Sequence, residues 1–268
     1  MRAPALLVLA GLGLGLGLGS RPAWAQHHDH GAHGHGEGEA APRSSIAASL
    51  GVLAAGYEHM LFSGDYQGLA VTGRWSRGRF GASVGITGYR LQKNGKTVQG
   101  IGDLMLHGRA TLLSTGPVTA GAVAMVMAPT GDHNAGLGMG HVMLMPGAWI
   151  SWAPGRLSLG ASAGYARGIG GGNVHAEHGG GAWPLVDPMT PSELTYGATA
   201  MVALDRSLHA GVRADGAIPT GDGEHRLAAG VRAMWMIGRV ETTAELLGGL
   251  AGAPFDVRGL VEAAVRFD

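Results

Sequence analysis

The sequence predicts an all-β protein, a transmembrane antiparallel up-and-down β-barrel of about 12 strands that comes after a signal peptide and a disordered His-rich tail. Three observations predict this class. From Phe255 to Asp268 the side chains alternate between apolar and polar, which is the period of an extended strand with one apolar face. Eleven earlier runs alternate in the same way, and the connections between runs are alternately short and long. That loop pattern is typical of bacterial outer-membrane barrels, whose short turns are periplasmic.

Residues 1–25 have the three parts of a secretory signal peptide. Arg2 provides the positive charge, residues 5–18 form an apolar run, and Ala23-Trp24-Ala25 is an A-x-A cleavage site. We therefore expect an exported chain that begins at Gln26. No other stretch has the roughly 18 uninterrupted apolar residues that a transmembrane helix needs. The chain has no cysteine, so hydrogen bonds and packing must hold it together without disulfides.

Residues 26–45 form a polar, His-rich segment that we expect to be disordered and periplasmic. It contains no apolar residue larger than alanine or proline and cannot bury a core. Short His-rich tracts bind metals, so the segment is a candidate site for copper, nickel or zinc, although the barrel itself requires no cofactor. A tail without function is the alternative. The candidate ligands are His27, His28, His30, His33 and His35.

Residues 46–268 contain the twelve predicted strands, most of them about 9–14 residues long, which suits a tilted strand crossing a membrane. They are expected at 46–57, 68–76, 80–90, 102–112, 118–128, 141–152, 157–166, 193–204, 208–218, 227–237, 240–249 and 255–268.

The connections after the second, fourth, sixth, eighth and tenth strands are short, and most of the others are longer. The short ones lie at 76–79, 114–117, 153–156, 205–207 and 238–239. An even number of strands places both termini on the side of the short turns. We therefore expect the protein in the outer membrane of a Gram-negative bacterium, with both termini periplasmic.

Aromatic residues on the apolar faces provide an independent test, because barrel proteins place them in girdles at both membrane interfaces. Near the short turns the sequence has Trp75, Phe80, Trp152, Trp235 and Phe267. Near the long loops it has Tyr165, Tyr196 and Phe255. The sequence predicts two girdles formed by these residues.

The opposite faces of the strands are rich in charge and in methionine. Inward charges form either a structural network of cross-strand ion pairs or the wall of a polar pore. The methionines are flexible filler, an apolar path for a hydrophobic solute, or soft ligands for a metal such as Cu(I). The predicted lumen-lining residues are Met105, His107, Arg109, Met125, Met127, Met143, Met145, His209, Arg213, Arg232, Met234 and Met236.

Two short motifs carry a family resemblance. Gly100-Ile101-Gly102-Asp103-Leu104 opens a predicted strand, and Pro129-Thr130-Gly131-Asp132 ends the next one. With them, residues 46–268 resemble the MetA-pathway of phenol degradation family of outer-membrane proteins. The resemblance implies a β-barrel that passes small molecules, and it implies no catalytic residues.

The Pro-Thr-Gly-Asp motif recurs at 219–222, again at the outer end of a strand. Proline and glycine end strand pairing and turn the chain, and this structural role accounts for both copies. The functional alternative is a cation site at the rim, formed by Asp132, His133, Asp222 and His225.

The sequence indicates no enzyme, because it lacks the HExxH, GxSxG and P-loop motifs. Balanced charge argues against nucleic acid as a partner. The expected partners are outer-membrane lipid, the barrel assembly machinery, and a small-molecule or metal-ion solute. Two functions stay open: a passive conduit for small solutes, among them hydrophobic or aromatic compounds and metal ions, or a non-conducting barrel that anchors the His-rich tail. A lumen blocked by side chains or by an inward-folded loop would favour the anchor.

Overall fold

The structure is a computed structural model that describes residues 44–59, 62–170, 189–221 and 223–267. These residues form thirteen β-strands: β1 Ser44–His59, β2 Phe62–Arg77, β3 Phe80–Lys93, β4 Lys96–Ile101, β5 Leu104–Thr115, β6 Val118–Ala128, β7 Val142–Trp152, β8 Leu157–Ile169, β9 Ser192–Ala203, β10 Leu208–Pro219, β11 Arg226–Ile237, β12 Val240–Ala251 and β13 Val257–Phe267. Within these ranges there is no helix of the length and hydropathy needed to cross a membrane.

The strands close into an antiparallel barrel. Each strand pairs with its sequence neighbours, and β1 pairs with both β2 and β13, which joins the two ends of the sheet. β4 and β5 share one position in the barrel wall. β4 pairs with residues 88–93 of β3, and β5 pairs with residues 80–85 of β3, next to the short turn. Thirteen strands therefore occupy twelve positions, which confirms the predicted fold class.

The strand expected at 102–112 begins at Leu104, and a separate short strand that the sequence did not predict, β4, precedes it. Asn94 and Gly95 both have positive φ, 45° and 80°, as the two-residue turn favoured in β-hairpins requires. This turn folds β4 back onto β3, in place of the long loop that the sequence predicts. Gly102 and Asp103 then separate β4 from β5. The break brings an acidic side chain to the inner wall of the barrel, where Asp103 is buried.

The first hairpin is also longer than predicted. β1 and β2 stay paired up to His59 and Phe62, whereas the apolar alternation ends at 57 and resumes at 68. The Tyr57 hydroxyl donates to the carbonyl oxygen of Gln92, and a side chain at Gly64 would collide with that same oxygen. Backbone pairing and a small residue thus continue this hairpin where the hydropathy pattern no longer indicates it.

All five short turns lie where the sequence predicts them. Gly78 and Gly238 adopt positive φ in two-residue turns, a conformation that glycine adopts without strain. In the turn before β10, the backbone N–H groups of Ser207 and Leu208 donate to the carboxylate of Asp205, which lowers the pKa of Asp205. These turns define one end of the barrel.

The outward face is apolar and carries most of the predicted aromatic residues. All five aromatic side chains expected near the short turns are exposed. At the opposite end Tyr165 is exposed and Tyr196 is partly buried. The prediction for Phe255 was wrong: this ring is only 5% exposed and lies under the guanidinium of Arg258. Phe255 precedes β13 in a loop, so strand alternation does not determine its direction.

Candidate functional site in the barrel interior

The structure turns the predicted lumen-lining side chains towards the interior. Eight of them are buried: Met105, Met125, Met127, Met143, Met145, Arg213, Arg232 and Met234. His107, Arg109, His209 and Met236 are partly exposed. The interior has two chemically distinct sides, since the charges concentrate on β10 to β13 and the methionines on β5 to β7.

On the charged side, Glu245 holds two arginines. Both of its carboxylate oxygens accept hydrogen bonds from Nη1 of Arg213 at 3.1 Å, and one of them lies 2.8 Å from Nη1 of Arg232. Arg213 also pairs with Asp215 at 2.7 Å. The Glu245 side chain is 1% exposed, so these charges are compensated inside the barrel and away from solvent. They form a structural network of the kind that the sequence predicts as one alternative.

A second ion pair lies closer to the long loops. Nη2 of Arg226 donates to both carboxylate oxygens of Glu193 at 2.6 and 2.7 Å, and Glu193 has no exposed surface. Thr190 also donates to Glu193 from its backbone N–H and its hydroxyl. These hydrogen bonds fix the orientation of the Glu193 carboxylate near the start of β9.

On the other side, buried methionines form one contiguous cluster, which we call the methionine cluster. Its thioethers come from β5, β6 and β7, from the β6–β7 loop and from the β8–β9 connection. The members are Met105, Met125, Met127, Met139, Met143, Met145 and Met189. His141, which is 4% exposed, lies beside the cluster, with Nε2 3.0 Å from Sδ of Met143.

The β6–β7 loop, residues 129–141, folds into the barrel. Leu137 packs in the interior apolar cluster that includes Tyr66, Tyr89 and Leu91, and Met139 joins the methionine cluster. The carboxylate of Asp103 accepts hydrogen bonds from the backbone N–H groups of Gly131 at 2.9 Å and Met139 at 2.7 Å. The break in the barrel wall therefore holds the loop inside the lumen.

The two motifs that carry the family resemblance contact each other at this point. The hydroxyl of Thr130 donates to the carbonyl oxygen of Gly102 and accepts the N–H of Leu104. In the second copy of the motif, the hydroxyl of Thr220 donates to the carbonyl oxygen of Ser192, at the start of the neighbouring strand. Both threonines thus tie one strand, at its end near the long loops, to the strand beside it.

A cavity of about 100 Å³ lies between the two sides of the interior. Met105, Met125 and Met127 line one wall, and the opposite wall includes Glu193 and Arg226. The site is therefore bounded by soft thioethers on one side and by a paired charge on the other. Its remaining wall comes from the ends of β9 to β13.

The structure does not bring the predicted rim residues together as one site. The carboxylate of Asp132 accepts from Asn134 N–H within its own loop, and Nε2 of His225 lies 2.6 Å from the Tyr196 hydroxyl. His133 is partly buried, and Asp222 lies outside the described residues, as do the five histidines of the tail. Within the described ranges, no three His, Asp or Glu side chains are grouped as a metal site requires. The rim and tail sites stay predictions.

Several interior residues were missed by sequence reasoning. Glu193 lies on the inward-facing side of β9, so the alternation of side chains along that strand would have predicted its position. Leu137 and Met139 alternate with glycines in a loop expected to face water, and apolar residues in that setting indicate inward folding. Trp149 is buried, with the guanidinium of Arg109 3.8 Å from its ring centroid.

No protein-family model and no curated protein sequence matches the chain. Among solved structures it is similar to an outer membrane channel from Pseudomonas putida F1, with a TM-score of 0.61 and 12% identity over 87% of this chain and 100% of that one. That channel's family is related to the MetA-pathway of phenol degradation proteins. The translocator domain of the autotransporter NalP from Neisseria meningitidis matches with a TM-score of 0.49 and 14% identity over 90% of both chains. A porin matches with a TM-score of 0.39 and 10% identity, over 84% of this chain and 100% of the porin. At these identities the likeness to the Pseudomonas putida channel concerns the barrel fold.

Proposed function

We propose that the protein is a conduit for small solutes in the outer membrane of a Gram-negative bacterium, with both termini periplasmic. The observation that carries the proposal is the internal cavity between the methionine cluster and the Glu193–Arg226 pair, because a barrel that served only as an anchor would not need one. The apolar outward face and the shared fold with an outer membrane channel support the location.

In this proposal the β6–β7 loop is the gate. Asp103 contributes to its hold on the barrel wall, because the carboxylate accepts two backbone hydrogen bonds from the loop, in addition to the packing of Leu137 and Met139. Hydrogen bonds to a charged group are worth about 1.5–3 kcal/mol each. Losing both would favour the released loop by roughly 3 kcal/mol or more, which is about a hundredfold in population.

The size of the cavity limits what it can hold. An apolar protein cavity of about 150 Å³ holds benzene. The cavity here, about 100 Å³, is smaller and partly polar, so it suits an ion or a few water molecules. Passage of an aromatic compound, which the family resemblance implies, would require the loop to move.

The second candidate function is a non-conducting barrel that anchors the His-rich tail as a periplasmic site for copper, nickel or zinc. The inward-folded loop favours this candidate, because Leu137 and Met139 occupy part of the lumen. Release of the loop separates the two candidates, since it would increase the current through a conduit and would produce none in an anchor.

The test is single-channel recording in planar bilayers with the wild type and Asp103→Ala. We expect brief openings of the wild type and an open probability that rises by about two orders of magnitude in the variant, as the lost hydrogen bonds imply. Asp205→Ala is the matched control, because it removes a carboxylate that caps a short turn at the other end of the barrel. If neither the wild type nor Asp103→Ala conducts, the anchor is correct.

A further inference from the structure

The methionine cluster has the composition of a ligand set for a soft metal ion. It groups seven thioethers, each at most 8% exposed, in the interior of a barrel. Methionine as filler suits irregular gaps in an apolar core. Filler alone does not explain why a histidine is buried there, with one ring nitrogen on a backbone carbonyl and the other 3.0 Å from a thioether sulfur of the same cluster.

His141 is arranged as metal-ligating histidines usually are. Its Nδ1 lies 2.9 Å from the carbonyl oxygen of Met139, and because a carbonyl only accepts, Nδ1 carries the proton. Nε2 lies 3.0 Å from the Met143 sulfur, on the side that faces the cluster, and would coordinate the ion after giving up any proton that it carries. Ligating histidines typically donate their other ring N–H to a carbonyl or carboxylate, which fixes the ring and its tautomer.

The surroundings favour a soft ion of low charge. Thioethers are neutral, so they do not offset the cost of burying a divalent cation. The carboxylates that border the cavity are already paired, Glu193 with Arg226 and Asp215 with Arg213. Thioether ligands select soft metals such as Cu(I) and do not suit hard cations such as Mg²⁺ or Ca²⁺.

We propose that the methionine cluster and Nε2 of His141 bind one soft monovalent cation, Cu(I) or its surrogate Ag(I), inside the barrel. Met143 is a ligand together with neighbouring thioethers of the cluster. Its flexible side chain must swing away from His141 to admit the ion between them. The site does not depend on the proposed conduction, because a barrel that passes no current would still bind the ion.

The experiment is NMR of the refolded full chain labelled with ¹³C in the methionine methyl groups, titrated with Ag(I), which is closed-shell. One equivalent should shift the methyl signals of the methionine cluster and leave those of Met201 and Met234 in place, since these two buried methionines lie outside the cluster. A chain with every tail histidine replaced by alanine should give the same shifts, which excludes the tail as the origin.

The matched variants are Met143→Leu and Met234→Leu, both volume-conserving changes that cores usually tolerate. We expect Met143→Leu and His141→Gln each to weaken Ag(I) binding by about tenfold or more, as even loss of an outer-shell partner of a ligand does. Met234→Leu should leave it unchanged. The proposal is overturned if the cluster signals do not respond to Ag(I), or if Met143→Leu binds as the wild type does. If the barrel binds Ag(I) but passes no current, the proposed conduit is refuted and this metal site is not.

Discussion

Replacing Val231 by arginine tests which face of the barrel meets lipid and at what depth. Val231 lies in the middle of β11, is 57% exposed, and has Val212 and Leu246 directly opposite on the neighbouring strands. Both neighbours are also more than half exposed, so the site lies inside a continuous apolar belt. An arginine at the midplane of such a belt costs roughly 2–4 kcal/mol.

Ile237→Arg is the matched control, because Ile237 lies on the same face of the same strand, next to a short turn. Six residues separate the two positions, which is about 20 Å along a strand. With a strand tilt of about 40°, the separation along the membrane normal is about 15 Å, against a half-height of about 12 Å for the apolar band. Arginine at 237 therefore reaches the interface and should cost only about 0–1 kcal/mol.

The assay is equilibrium unfolding by guanidinium in lipid vesicles, monitored by tryptophan fluorescence, with Val231→Leu as a control for packing. The free energy of unfolding should fall for Val231→Arg by at least about 1 kcal/mol more than for Ile237→Arg. Equal losses at the two positions would refute the assignment of depth. A loss at 237 alone would mean that the belt is displaced along the strands.

Two further outcomes are expected. Glu245→Gln should lower the free energy of unfolding by about 3–5 kcal/mol, because it removes a carboxylate shared by two buried arginines. The control is Glu241→Gln, on the same inward face but partly exposed, which should cost less than about 1 kcal/mol. Similar losses for the two variants would contradict the assignment of Glu245 to a buried ion-pair network. The mature amino terminus, Gln26-His27-His28, should bind Cu(II) through its amine, two backbone nitrogens and an imidazole. Binding should weaken as pH falls through about 6.5, since imidazole must lose its proton to coordinate. Calorimetry of the chain that begins at Gln26, against the same chain with alanine at every tail histidine, tests this, and equal Cu(II) binding would leave the tail a spacer.

The alternation of side chains was sufficient to predict the barrel because a membrane imposes one apolar face on every strand. From Val257 to Phe267 the polar side chains lie on the more buried face of the strand, as the alternation predicts. The pattern failed where this constraint is absent. Phe255 lies in a loop, and the hairpin around Asn94 and Gly95 was overlooked although Asn-Gly is a strong turn signal.

The interior was harder to predict than the wall. The alternation of side chains along each strand identified the inward-facing methionines and arginines, because strand geometry determines which face they occupy. It could not show that Asp103 holds the β6–β7 loop, since that contact joins residues 36 positions apart through a break in the strand. Loop positions have no periodicity, and only the apolar residues between glycines at 136–140 indicated that the loop turns inward.

The central claim, that the β6–β7 loop gates the conduit, can be tested with a reversible lock. The chain has no cysteine, so a pair introduced at Gly100 and Leu137 would be the only one. A Cβ added at Gly100 would lie 2.8 Å from Cδ1 of Leu137, so the two positions are neighbours, and formation of the disulfide is verified before the recording. Single-channel current should be absent from the oxidised Gly100→Cys/Leu137→Cys barrel and should return to the wild-type level after reduction. Current that is the same before and after reduction, with the disulfide shown to be formed, would contradict the gate.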